Sequence, residues 1–214
     1  MKALVDNDIL FKGACYGLLD EFISGICVSP DTVGVLGSAW FVVSKKIQRT
    51  PLNKTIETAI NNLRTLLIRA VTLEPNETEQ SMAATFELAA LQLGVSLDAG
   101  ESQLCAILIS RLVPYFLTGD KRAIEAIEQL LDSESQLARV CGKVRCLEQL
   151  VLDALTVHIE PTSLRASICA EAHIDKTLAI CFLCSSVGDG GDYSEGLRSY
   201  ISDLRKQAAR VLSA

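Results

Sequence analysis

Ala3-Leu4-Val5-Asp6-Asn7-Asp8-Ile9-Leu10 opens the chain with three apolar residues, two carboxylates around an asparagine, and the start of a new apolar period. The run reads as a buried strand, Ala3–Val5, that delivers Asp6 and Asp8 to its C-terminal end. Apolar positions Leu10, Phe11, Ala14, Leu18 and Phe22 then recur at threes and fours, which predicts a helix from about Ile9 to Phe22, stopped by Gly25. The same alternation continues downstream. Ile26-Cys27-Val28 reads as a second strand. Ser29-Pro30-Asp31 supplies an N-cap, a first-turn proline and a first-turn acid, and predicts a buried helix to about Lys46 that takes in the apolar run Val33–Val43. Thr50-Pro51 opens a helix from Leu52 to about Ala70. Val71-Thr72-Leu73 is a short strand, and Pro75-Asn76-Glu77 starts a helix that Gly94 stops. Asp98-Ala99-Gly100-Glu101 leads into a helix through Leu112. Tyr115–Thr118 reads as a strand ended by Gly119-Asp120, and a helix opens at Lys121-Arg122. Short apolar strands alternating with helices predict an α/β fold with a parallel sheet. Right-handed crossovers put the strand C-termini on one edge, where open parallel sheets bind ligands.

Beyond about Ser133 the pattern is helical throughout, over Gln136–Thr156, Thr162–Ala172, Asp175–Ser186 and Ser194–Val211. The expected division is an α/β domain over residues 1–132 with a helical extension, residues 133–214, packed on it. Apolar residues make up 49% of the 214, which excludes global disorder, and a mean hydropathy of +0.30 suggests a buried partner surface or a second copy of the chain. No run is long and apolar enough to span a membrane. Asp6 and Asp8 within the first ten residues argue against a secretory leader, so a cytoplasmic setting is expected. The eight cysteines would then be free thiols in a reducing compartment. The net charge of −6 excludes nucleic-acid binding through global basicity. The charge is nonetheless unevenly placed: residues 45–69 hold six basic residues and one acid, and residues 71–110 hold six acids with no Lys or Arg.

Three acids stand at element boundaries, unlike the acids of solvated helix faces. Asp6 ends the first strand, Glu101 begins a helix after a short apolar run, and Asp120 ends the strand at Thr118. If the two strands are parallel neighbours, Asp6 and Asp120 share one edge. Clustered carboxylates raise one another's pKa unless a cation neutralises them. Oxygen ligands without nearby Cys or His select Mg²⁺ or Mn²⁺ over zinc.

Leu4-Val5-Asp6-Asn7-Asp8-Ile9-Leu10, Leu97-Asp98-Ala99-Gly100-Glu101-Ser102 and Phe116-Leu117-Thr118-Gly119-Asp120-Lys121 together resemble the PIN-domain family of metal-dependent ribonucleases over roughly residues 1–125. The resemblance implies a three-layer α/β/α fold with a central parallel sheet. It implies Asp6, Glu101 and Asp120 as the catalytic carboxylates on one or two Mg²⁺ or Mn²⁺ ions, with Asp8, Asp31 and Asp98 as further candidate ligands. The implied reaction is hydrolysis of RNA phosphodiester bonds, in which a metal-bound water attacks in line with the leaving oxygen. PIN-like proteins commonly serve as toxins of toxin–antitoxin pairs, in RNA processing or in defence. Lys45, Lys46, Arg49, Lys121 and Arg122 are the candidate phosphate contacts. One departure stands out. The family usually places a Glu one turn into the helix after the second strand, and here the corresponding Gly34 and Val35 carry no charge; Asp31 is the nearest substitute. That gap motivates the alternative of a catalytically degenerate PIN-like binding or assembly module.

Other signals carry less. Cys181-Phe182-Leu183-Cys184, with Cys169 and His173 upstream, has the composition of a zinc site but lies in an apolar run without a knuckle glycine, as buried cysteines do. His158 and His173 belong to no nucleophile motif, Gly188–Asp192 lacks the Lys-Ser/Thr of a phosphate loop, and Trp40 reads as core. There is no aromatic–basic interleaving of the single-strand-binding kind.

Overall fold

The computed structural model describes residues 1–24, 29–157, 159–186 and 192–214. Five strands form one parallel sheet: β1 (Ala3–Val5), β2 (Val33–Leu36), β3 (Val71–Leu73), β4 (Tyr115–Thr118) and β5 (Val144–Cys146), in the order β3-β2-β1-β4-β5. Leu4 lies opposite Gly34 on one side and Phe116 on the other, and Leu117 opposite Arg145. The expected strands at 3–5, 71–73 and 115–118 form as read.

Besides a break at Gly17 (φ 75°) that divides the helix expected over Ile9–Phe22 into Asn7–Tyr16 and Leu19–Ser24, two larger differences from the expectation stand out. The apolar run at 33–43 is not one buried helix: Val33–Leu36 is β2, and a helix, α3 (Ala39–Arg49), begins only after it. A strand buried on both faces is a continuous apolar run, and period alone does not separate it from a buried helix. Here Gly34 is what lets the strand pass: a Cβ there would collide with the Met1 sulfur and lie 2.5 Å from a Leu73 methyl. The second difference lies beyond Ser133, where Gln136–Thr156 is not a single helix. It divides into a 3₁₀ segment (Ser135–Val140), β5 and a later helix. The sheet therefore continues past residue 132 into the stretch expected to be all-helical. The chain's end closes over β5: Val144 N–H donates to Val211 O at 3.1 Å and Ser213 N–H to Val144 O at 2.8 Å. The strand expected at Ile26–Val28 lies outside the described residues, as do His158 and most of Gly188–Asp192.

The other helices are α1 (Asn7–Tyr16), α2 (Leu19–Ser24), α4 (Ile56–Arg69), α5 (Glu77–Leu93), α6 (Ala99–Arg111), α7 (Lys121–Leu130), α8 (Leu147–Val157), α9 (Pro161–Ala170), α10 (Lys176–Cys181) and α11 (Tyr193–Gln207). The pleat of the sheet sorts them into two cores. Ala3, Val5, Val33, Val35 and Leu117 pack with α1–α4 and α8–α10. Leu4, Leu36, Leu73, Phe116 and Val144 pack with α5–α7. Helix α11 joins both, through Leu197 on one side and Ile201 and Leu204 on the other. The fold is α/β, compatible with a three-layer α/β/α arrangement. No described helix is long and apolar enough to cross a membrane.

The cysteines depart from the expectation of free thiols at one place. Cys169 at the end of α9 and Cys184 after α10, with Cα atoms 5.0 Å apart, form a disulfide. This removes two members of the zinc set. Cys15, Cys105, Cys141, Cys146 and Cys181 are free.

Candidate functional site

The chain builds β1, β2 and β3 outward in one direction, then returns to place β4 on the other flank of β1. The switch point therefore lies between the C-terminal ends of β1 and β4, the position where open α/β sheets leave a crevice for ligands. Asp6 stands there. As the N-cap of α1 it accepts hydrogen bonds from Asn7 N–H (2.6 Å) and Asp8 N–H (3.3 Å), and its Oδ2 accepts a third from the Thr118 hydroxyl at the end of β4 (3.2 Å). Thr118 Oγ1 in turn accepts from Asp120 N–H at 3.2 Å. One buried threonine thus ties the two strand ends together, and the sequence marks it only by its place two residues before Asp120.

Asp6 is 6% exposed and Glu101 5%. Burial, then Asp8 and Asp98, raise the Asp6 carboxyl to about 6 despite its two backbone donors. Burial, then the negative charges of Asp98, Asp6 and Asp120, raise Glu101 to about 8. The sequence-read trio therefore shares one electrostatic neighbourhood, joined by Asp98. Helix α6 arranges this through a capping box: Asp98 Oδ1 accepts from Glu101 N–H at 2.8 Å, and Glu101 Oε2 accepts from Asp98 N–H at 3.0 Å. Neither Asp6 nor Glu101 forms an ion pair among the described residues.

The neighbouring carboxylates are treated differently. Asp120 caps α7 and is gripped by Arg122, whose Nη2 is 2.8 Å from Oδ2; burial pushes this carboxyl up, but the Arg122 contacts outweigh it and hold it below its ordinary value. Asp8 pairs with Lys12 at 2.6 Å and Lys46 at 3.4 Å. Lys12 also meets Asp175, the N-cap of α10, at 2.8 Å, and the two acids keep its ammonium protonated against burial. Lys12 is legible in sequence only as the i+4 partner of Asp8; its distant partner is not. Gly119 leaves room for this knot: a Cβ there would run into Asp8 Oδ2 and come within 3.3 Å of Lys12 Nζ, so both side-chain ends would have to shift.

Of the remaining candidates, Arg122 and Lys46 stand at the rim of the cluster as partners of Asp120 and Asp8, and the others fall outside it. Asp31 precedes β2, on the opposite sheet edge, where Arg69 meets it at 3.4 Å. The first turn of α3, the helix after the second strand, holds no acid to replace it. Lys121 turns inward to Glu148 at 2.7 Å and Thr177 at 3.1 Å, whereas Arg122, Lys45, Lys46 and Arg49 reach the surface.

The donor set is all carboxylate oxygen, as hard divalent cations prefer. Cys105, one turn after Glu101, is kept a thiol by burial and by Glu101 and Asp6. As the side chains stand, with Glu101 turned onto its own helix, no three described Asp, Glu, Cys or His residues encircle a point that could hold an ion. Compared with known protein families and with curated protein sequences, the chain matches none.

Proposed function

We propose that the chain is a PIN-like, Mg²⁺- or Mn²⁺-dependent ribonuclease whose ion is held by Asp6 and Glu101, with Asp98 and Asp120 at the rim. The carrying observation is the pair of carboxylates at the switch point, raised by burial and then by neighbouring acids, and paired with no cationic side chain among the described residues. A bound divalent cation would neutralise charge on a phosphoryl oxygen and lower the pKa of water. The chain's own residues do the rest. Thr118 and the α1 N-terminus fix the Asp6 carboxylate, and Arg122 and Lys46 present positive charge at the rim for phosphate. The five free thiols among the described residues favour a cytoplasmic setting, and the Cys169–Cys184 bond weighs against it. The test is cleavage of single-stranded RNA in Mn²⁺. The parent is expected to cleave and Asp6→Asn to lose at least about a hundredfold, as enzymes do when a principal charge is removed. Equal cleavage by parent, Asp6→Asn and Asp120→Asn contradicts the proposal.

A second reading, a degenerate module acting through a protein partner or a second copy, is favoured by one set of contacts. Asp8 and Asp120 already carry Lys12, Lys46 and Arg122 as counter-charges, and α3 lacks an acid in its first turn. Leu88 and Leu91, 56% and 77% exposed on α5, would supply the partner surface.

A further inference from the structure

Helix α3 carries a feature that the linear sequence hides. Its inner face is Val43, Ser44 and Ile47. Its outer face exposes Phe41 (72%) and Val42 (46%), where burial was expected, together with Lys45, Lys46 and Arg49. Phe41, Lys45 and Arg49 stand four residues apart and form one row along the helix, about 12 Å long. None of the three makes an ion pair, hydrogen bond or ring contact among the described residues. Val42 and Lys46 form the adjacent row, and Lys46 ends against Asp8 at 3.4 Å and over the Phe11 ring at 4.2 Å. The row beside Phe41, Lys45 and Arg49 therefore borders the carboxylate cluster, at Asp8. Helix α3 holds three cations and no acid in a chain of net charge −6.

We propose that this face binds single-stranded nucleic acid, with Phe41 as the platform for one base and Lys45 and Arg49, one and two turns further along the helix, holding the phosphates to one side of it. The inference rests on the ribonuclease reading for its direction, since the strand held here would run toward Asp6. An exposed ring at one end of the row, followed by two unpaired cations, matches a flat base followed by charged phosphates, and it needs an unstacked base, which a duplex does not offer. A second copy is disfavoured as occupant, because a two-fold interface would set the same three cations against one another.

The test is fluorescence anisotropy of the full chain with a labelled oligouridine of about 12 nucleotides, in EDTA so that no cleavage occurs, with a duplex of equal length alongside. Phe41→Ala should weaken single-strand binding about tenfold and Phe41→Trp should restore it. Lys45→Ala and Arg49→Ala should each weaken it and lower the salt slope by about 0.7. Unchanged affinity in Phe41→Ala, duplex bound as tightly as single strand, or no saturable binding by the parent at about 0.1 mM overturns the proposal. So does a parent dimer that Phe41→Ala dissociates without changing RNA affinity. Phe41-dependent binding by a parent that cleaves nothing in Mn²⁺ leaves this face standing and removes the nuclease; cleavage with Phe41-independent binding does the reverse.

Discussion

Buried carboxylates occur in two settings in this molecule. Away from the switch point, each comes with donors of its own. Glu79, fully buried, faces Arg111 at 2.7 Å; Glu128 accepts from Arg210 at 2.5 Å and from two backbone N–H groups; Glu148 meets Lys121 at 2.7 Å; and Glu171 accepts from Asn53 and Lys54 N–H at 3.0 and 2.6 Å. At the switch point, Asp6 and Glu101 are as deeply buried and have no cation, and their nearest charged neighbours are other acids. Glu79, Glu128 and Glu148 each face a cation, whereas Asp6 and Glu101 have hydrogen-bond donors but no cation among the described residues. Carboxylates that hold the structure are distinguished from those available to a ligand by what faces them, since burial is the same in both.

Substitutions on the two sides of this contrast should therefore change stability in opposite directions. Arg111→Met strands Glu79 and should cost about 3 kcal/mol in chemical denaturation. Arg111, chiefly by hydrogen bonding, holds the Glu79 carboxyl below its ordinary value. The stabilisation is therefore present above pH 4.5 and is lost as the pH falls below it, so parent and variant should converge in acid. Glu101→Gln should instead stabilise, by about 2 kcal/mol at pH 8, because its amide oxygen keeps the capping bond to Asp98 N–H while the buried charge is gone. The Glu101 pKa rises on folding from 4.5 to about 8. The parent therefore loses stability progressively as the pH rises through that window, and the advantage of the variant should vanish near pH 4.5. A destabilised Glu101→Gln at pH 8 would erase the contrast. The smallest effect is expected at Asp31, on the far edge with a solvated partner: Asp31→Ala should change stability by less than about 0.5 kcal/mol and leave cation affinity as it was.

The residues that position the site were largely legible in the sequence, because each announces itself locally. Asp6 and Asp120 are polar stops on apolar strands, and Asp98 with Glu101 has the spacing of a capping box. What stayed hidden depends on distant chain. Strand β2 merged with the helix after it, since both are apolar and Gly34 reads equally as a weak helix residue or a close sheet contact. Strand β5 is three residues long and carries Arg145, whose guanidinium is drawn off by Asp153; its pairing depends on β4 and on the returning C-terminal chain. The Lys12–Asp175 contact and the cation-bearing face around Phe41 are likewise products of assembly: the helical turn places Phe41 beside Lys45, whereas along the chain three residues separate them.

Calorimetric titration of Mn²⁺ into the parent, Asp6→Asn and Glu101→Gln asks whether the switch-point carboxylates hold a cation. The parent should bind saturably at sub-millimolar ion and each variant at least about tenfold more weakly, the scale on which losing one charged ligand acts. Parent binding that is absent at millimolar Mn²⁺, or unchanged by both substitutions, would mean that the two unpaired carboxylates of the switch point are not a cation site.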